Sequence, residues 1–390
     1  MSLADFLAPV GQHLVDEYAE ANAQIMGQKL RIHLELEGLP DLEGCQAAII
    51  GVREDRGSEN KGAAHAPEQI RHYLYGLYWG QWHGAVADLG DIYAGERLAD
   101  THIALSEVCG ELLKRQIIPI VIGGSQDLTY GAYRAYDRLE QTVNMVAIDA
   151  RFDLGQQNES LNHQSFLSHV ILKKPYILFN YCNLGYQTYF VNQEEIDLME
   201  RMFFDVHRLG HLRGQIAEAE PMLRDADLVS FDLSAVRQSD APANAQHSPN
   251  GFSGEEACAL SRYAGISDKV SSFGIYECNP QFSDDGRTSH LAAQMIWYFL
   301  EGLYHRKGDY PLATKDDYEK FIVLVDDGEH ELTFYKSPFS GRWWIEVPLK
   351  QDGKLSHERH QLIPCSYRDY EEAVRNEIPD RWWRAMKKGI

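Results

Sequence analysis

The stretch VNMVAIDARFD (143–153) decides the fold. Its first six residues are nearly continuous in apolar side chains, the pattern of a strand covered on both faces rather than of one with a wet side. The run ends on Asp149, and the space beyond the carboxyl ends of parallel strands is where such sheets bind ligands. Working outward, similar runs occur at 47–52, 117–122, 176–181, 202–206, 227–232 and 270–276. Helical patterns at 66–75, 102–114, 254–264 and 289–304 lie between them, long enough for right-handed crossovers. The reading is an α/β fold of three layers, a mostly parallel sheet between helices.

Composition sets the limits around that core. The 390 residues are 44% hydrophobic and 24% charged, ordinary globular usage. A net charge of -21 repels phosphate backbones and anionic lipid, so nucleic acid and membrane are excluded as partners and a small cationic or neutral molecule is expected. No run of about 18 apolar residues occurs and the N-terminus lacks a signal-peptide pattern, which predicts a cytoplasmic protein. The six cysteines form no CxxC pair, so they are expected to be reduced and mostly buried rather than zinc ligands or disulfides.

The pattern divides the chain into residues 1–308, with 1–44 as a helical lead-in, and an extension over 309–390. In the extension, alternating strands at 321–325, 331–335 and 342–347 are joined by turns such as Asp326-Asp327-Gly328, and short helices follow over 367–388. Its Trp and Tyr residues provide area for packing on the main domain or at a subunit interface.

Four strand ends carry polar residues: GGSQD (123–127), DARFD (149–153), DLS (232–234) and ECNP (277–280). One acidic strand end is commonly a helix cap, but four in one sheet point to a site. At this point the chain resembles the ureohydrolases, the family of arginase, agmatinase and formimidoylglutamase. GVREDRGSENKGAAHAPEQIR (51–71) is similar to the family's opening strand and loop, ADLGDI (87–92) to its DxGD segment, and 119–127 to its GGDHS strand. DARFD is similar to its DAHxD element, 230–242 to its SFDxDxxDP stretch, and ECNP to its ExNP. The shared order is the specific signal, and YECNP (276–280) with DGRT (285–288) leans towards formimidoylglutamase.

The resemblance implies hydrolysis of a guanidinium or amidine C–N bond by two Mn2+ ions held by two histidines and four aspartates. Carried over, those ligand positions are Gln126, Asp149, Arg151, Asp153, Asp232 and Ser234, so three of six are replaced. Three carboxylates and one fixed cation suit one divalent ion at most, and Arg151 has no lone pair to donate. The expectation is therefore a degenerate metal site without a cofactor. Arg151 would bridge Asp149, Asp153 and perhaps Asp232 or Asp127 in place of metal, leaving a catalytically silent or altered protein that binds a cationic or amidine-like ligand. The alternative keeps one Mn2+ or Mg2+ on Asp149, Asp153, Asp232, Asp127 and the Gln126 amide oxygen, with Arg151 swung outwards and hydrolysis retained.

Glu277 matches the glutamate that holds the substrate's cationic head. His163 lies near the arginase branch's proton-shuttling histidine but reads better as an exposed loop residue, and Asp127 or His163 could serve as a base without metal. Arg237 replaces the aspartate of the DP pair and is expected to neutralise site carboxylates. With Arg151 and Asn244, which lies in the turn-rich loop 238–253, it completes the ligand pocket. The resemblance further implies a homo-oligomer.

Overall fold

A computed structural model describes residues 3–139, 141–156, 158–282, 285–309, 317–348 and 362–388. Nine strands form one sheet: β1 (Arg31–Ile32), β2 (Cys45–Arg53), β3 (Ala85–Tyr93), β4 (Ile118–Ile122), β5 (Val143–Ile148), β6 (Leu178–Tyr186), β7 (Asp205–Arg208), β8 (Leu228–Asp232) and β9 (Ser272–Tyr276). They are parallel throughout, in the order β1-β3-β2-β4-β9-β8-β5-β6-β7. Every residue of β4, β5, β8 and β9 is buried. The strand period of two sends Ile49, Ile120, Val146 and Phe231 to one core layer and Ile50, Val121, Met145 and Leu228 to the other. Both layers are roofed by helices, among them Ala66–Gly76, Leu98–Lys114, Gly254–Gly265 and Arg287–Tyr304. The expected three-layer α/β architecture is the observed one.

Two expected strands are displaced. The run at 176–181 begins β6 only at Leu178 and continues to Tyr186, and Met202 instead closes the helix Gln193–Arg201, so that β7 starts at Asp205. An edge strand has one partner and fewer buried positions, so its apolar signal is weak. The nine-residue β3 carries the DLGD motif, and no apolar run announces it because its acidic residues interrupt the pattern; they are buried by pairing with Arg71.

A second sheet, β10 (Glu319–Val325), β11 (His330–Lys336), β12 (Trp343–Glu346) and β13 (Leu362–Cys365), is antiparallel, and the 326–328 segment is the turn joining its first two strands. Helices Tyr367–Val374 and Asp380–Lys388 complete it. It packs on the main domain through Arg224, whose guanidinium lies 4.5 Å from the Trp344 ring centre and donates to the Cys365 carbonyl at 2.8 Å. All six cysteines are buried and free. No described helix is long and apolar enough to cross a membrane.

Candidate functional site

β4, β9, β8 and β5 are consecutive neighbours, so the four polar strand ends meet at one edge of the sheet. Gln126 follows β4, Glu277 follows β9, Asp232 ends β8 and Asp149 follows β5. The crossing is tight: a side chain on Gly124 would meet the Glu54 carbonyl at 1.9 Å, so only glycine lets these loops pass.

Glu277 sits at φ 64° and both its carboxylate oxygens accept hydrogen bonds. Oε1 takes the Gln126 amide N–H at 2.9 Å, and Oε2 takes Ser58 Oγ at 3.1 Å and Asn60 Nδ2 at 3.0 Å. Burial nevertheless pushes its carboxyl up to about 7, and the Asp127 charge adds to the shift. Asn244 donates through Nδ2 to the Glu277 carbonyl at 2.9 Å, so it braces the turn that carries Glu277.

Asp149 accepts from Gln126 Nε2 at 2.7 Å and from the Arg151 amide at 2.8 Å. Asp153, at φ 53°, shares a hydrogen bond with Asp149, and Asp232 accepts the Ser234 amide at 2.5 Å. All three are buried. Burial raises the Asp149 carboxyl; burial and the charges of Asp149 and Asp232 raise Asp153 well above the carboxylate range. Burial with Asp149 and Glu277 does the same to Asp232. This is an acidic cluster short of positive charge. Its three carboxylates do not close to within 4.8 Å of one another; among the described residues only Asp326, Glu329 and His330, on a surface turn, do so.

Three expectations about individual residues are corrected. Arg151 does not bridge the carboxylates: its guanidinium lies 4.3 Å from the Phe190 ring centre, half-buried, where the ring face stabilises a cation that stays near water. His163 is not an exposed loop residue but 7% exposed. Its Nδ1 lies 3.4 Å from Ser58 Oγ and its Nε2 3.4 Å from Gln246 Nε2, and burial lowers its pKa. Arg237 does not neutralise the site either, because it pairs with Asp240 at 3.0 Å in its own loop. Asp127 is fully buried and joined to His102, with Nε2 to Oδ2 at 2.7 Å.

Glu277, His163 and Asp127 thus converge on the loop after β2. The residues that sequence reasoning missed are Ser58, Asn60, His102 and Gln246. Ser58 and Asn60 lie inside the 51–71 stretch and were the ones within reach; nothing in the spacing marks His102.

Gln126, Arg151 and Ser234 stand at three of the six positions that the resemblance assigns to the ligands of a Mn2+ pair. The three carboxylates are the oxygen donors present for a single hard cation, but they do not converge within 4.8 Å in this structure and Gln126 turns its Nε2, not its amide oxygen, towards Asp149, so they would have to close on an ion to hold it.

Residues 45–301 match the model of the arginase family. A formimidoylglutamase of Geobacillus thermodenitrificans is 28% identical over 316 residues, covering 75% of this chain and 94% of that protein. One of Streptococcus gordonii is 25% identical over 293 residues, covering 69% and 88%. Among solved structures, a Trypanosoma cruzi formiminoglutamase with Mn2+ superposes with a TM-score of 0.63 at 22% identity, covering 68% of this chain and 96% of that one. The Bacillus subtilis formimidoylglutamase gives 0.63 at 20%, covering 75% and 99%. The second sheet lies beyond the residues that the family model matches. From residue 45 to residue 301 this chain belongs to the arginase family.

Proposed function

We propose that the chain is a formimidoylglutamase-like hydrolase that cleaves the C–N bond of a small linear amidine and works with one divalent cation, Mn2+ by analogy with its relatives. The observation that carries the reading is the buried cluster of Asp149, Asp153 and Asp232, whose charged forms burial disfavours, beside an Arg151 whose charge acts on Asp149 and Asp153 while its guanidinium lies on the Phe190 face. A cation bound there supplies a water nucleophile at neutral pH by lowering the pKa of that water. The protein's own groups do the rest. Glu277 keeps one lone pair, on Oε1, after its three hydrogen bonds and accepts an N–H of the amidinium head there. His163, held neutral by burial, takes up a proton and delivers it to the departing amine. Ser58 connects the two, donating to Glu277 while lying beside His163 Nδ1.

A binding-only role is the second reading, and the three replaced ligand positions favour it. Hydrolysis of N-formimidoyl-L-glutamate, followed with one equivalent of Mn2+ and again in chelator, separates the two. Metal-dependent turnover that Glu277→Gln abolishes supports the hydrolase; binding of the same compound without turnover supports the silent protein.

A further inference from the structure

Asn279, the third residue of ECNP, is fully buried in the turn after β9. Its backbone N–H donates to the Ala243 carbonyl at 2.8 Å, and its side-chain oxygen accepts the Gln281 amide at 3.0 Å. Its Nδ2 donates to two acceptors in the loop after β2, Asn60 Oδ1 at 2.9 Å and the Lys61 carbonyl at 2.7 Å. One side chain thus clasps the β9 turn to that loop. The approach is close: Gly62 has φ 111°, and a side chain built on it would meet Asn279 Oδ1 at 2.5 Å, so only glycine lets the loop settle there.

What the clasp holds is the amide of Asn60. Asn60 Oδ1 accepts from Asn279 Nδ2 and from the Ala245 amide at 3.2 Å, while Asn60 Nδ2 donates to the Glu277 carbonyl and to Glu277 Oε2, both at 3.0 Å. The oxygen end faces two N–H groups and the nitrogen end two oxygens, so a single orientation of this amide satisfies every contact. Turned over, it would set its oxygen against the Glu277 carboxylate. The same loop carries Ser58, whose hydroxyl donates to Glu277 Oε2. With Ser58 and Asn60 on Oε2 and the Gln126 amide on Oε1, the rotation of the Glu277 carboxylate is set largely by the loop, and the loop is tied down by Asn279.

Resting on the amidine-hydrolase reading of the site, we propose that Asn279 is a positioning residue: it docks the 57–62 loop, fixes the Asn60 amide, and through Asn60 sets the Glu277 carboxylate for the amidinium head.

Three measurements on the full chain with Mn2+ test this: acetamidinium affinity by calorimetry, hydrolysis of N-formimidoyl-L-glutamate, and hydrogen exchange of residues 57–62 read by mass spectrometry. Asn279→Ala is expected to weaken acetamidinium binding roughly fivefold, the scale of a lost hydrogen bond, and to raise KM by about the same factor with kcat within about threefold. Exchange over 57–62 should quicken at least about fivefold while β4 stays as protected as in wild type. Asn60→Ala removes the group through which Asn279 acts and should weaken binding about tenfold; the double variant should then bind within about twofold of Asn60→Ala alone. Thermal melting confirms folding, and if Asn279→Ala does not fold, Asn279→Ser, which keeps one donor, is measured in its place. Multiplied losses in the double variant, wild-type affinity and KM in the Asn279 variant, or unchanged exchange over 57–62 overturn the positioning role. Neither turnover nor acetamidinium binding by the wild-type chain refutes the amidine reading instead, and the exchange of 57–62 then decides by itself whether Asn279 docks the loop.

Discussion

Replacing Arg71 by Met tests how the main sheet's edge is held. Arg71 is 1% exposed and grips Asp88 with two hydrogen bonds, Nε to Oδ2 at 2.8 Å and Nη2 to Oδ1 at 2.9 Å. It also donates to the Gly90 carbonyl at 2.9 Å and pairs with Asp91, which Arg53 holds from the other side at 2.5 Å. Burial opposes the charge on Asp91, but Arg71 and Arg53 outweigh it and hold its carboxyl below the ordinary value. Met fills similar space without charge. Asp91 keeps Arg53, whereas Asp88, 0% exposed, retains only the Tyr75 hydroxyl at 2.9 Å and the Gly90 amide at 3.1 Å. Stranding one member of a buried ion pair costs about 3–5 kcal/mol. At roughly 2–4 °C per kcal/mol in chains of moderate size, Tm should fall by at least about 6 °C. Adding Asp88→Asn removes the stranded charge and should recover more than about 1 kcal/mol of the loss, a coupling that separate sites would not show. Scanning calorimetry on wild type, single and double variants reads all three; a fall under about 2 °C, or no recovery, refutes the reasoning.

Trp344→Ala empties the junction where Arg224 stacks, and a cavity of that size costs about 3–5 kcal/mol; limited proteolysis should then release the second sheet while residues 45–301 stay resistant. Burial pushes His207, which faces Asp205, Arg381, Arg384 and His211, down to about 4, so the folded chain holds it neutral. Its contribution is complete above an unfolded pKa of about 6.5 and is lost as pH falls towards 4, at most about 3 kcal/mol, and His207→Gln should flatten Tm between those pH values. The combined substitution Gln126→His, Arg151→His and Ser234→Asp restores the donor types of a two-ion site, and elemental analysis should find a second Mn2+ in that variant and not in the singles.

The fold was legible because its evidence is local. The residues of β4, β5, β8 and β9 are buried on both faces and mostly apolar, so those runs announce themselves, and the polar residues at or just past their ends fall together because the strands are neighbours. The edge strand β7 starts three residues into its predicted run, and the acidic β3 gave no run. Side-chain direction was less legible, since it depends on distant partners. Arg151 was expected among carboxylates two residues away, but the face of Phe190 takes its guanidinium. His163 is buried by Ser58, 105 residues earlier, and by Gln246, 83 later. His102 meets Asp127 from a neighbouring helix. Arg237 is different: its partner Asp240 is three residues on, and that pairing was open to a reading of the loop.

We propose that Asp149, Asp153 and Asp232 hold one divalent cation, which Arg151 neither replaces nor blocks. Titrating Mn2+ into chelator-treated full-length protein, with bound metal counted by elemental analysis, tests it most directly. One ion per chain is expected, lost in Asp232→Asn and retained in Arg151→Ala. No bound ion, or two in the wild-type chain, would contradict it.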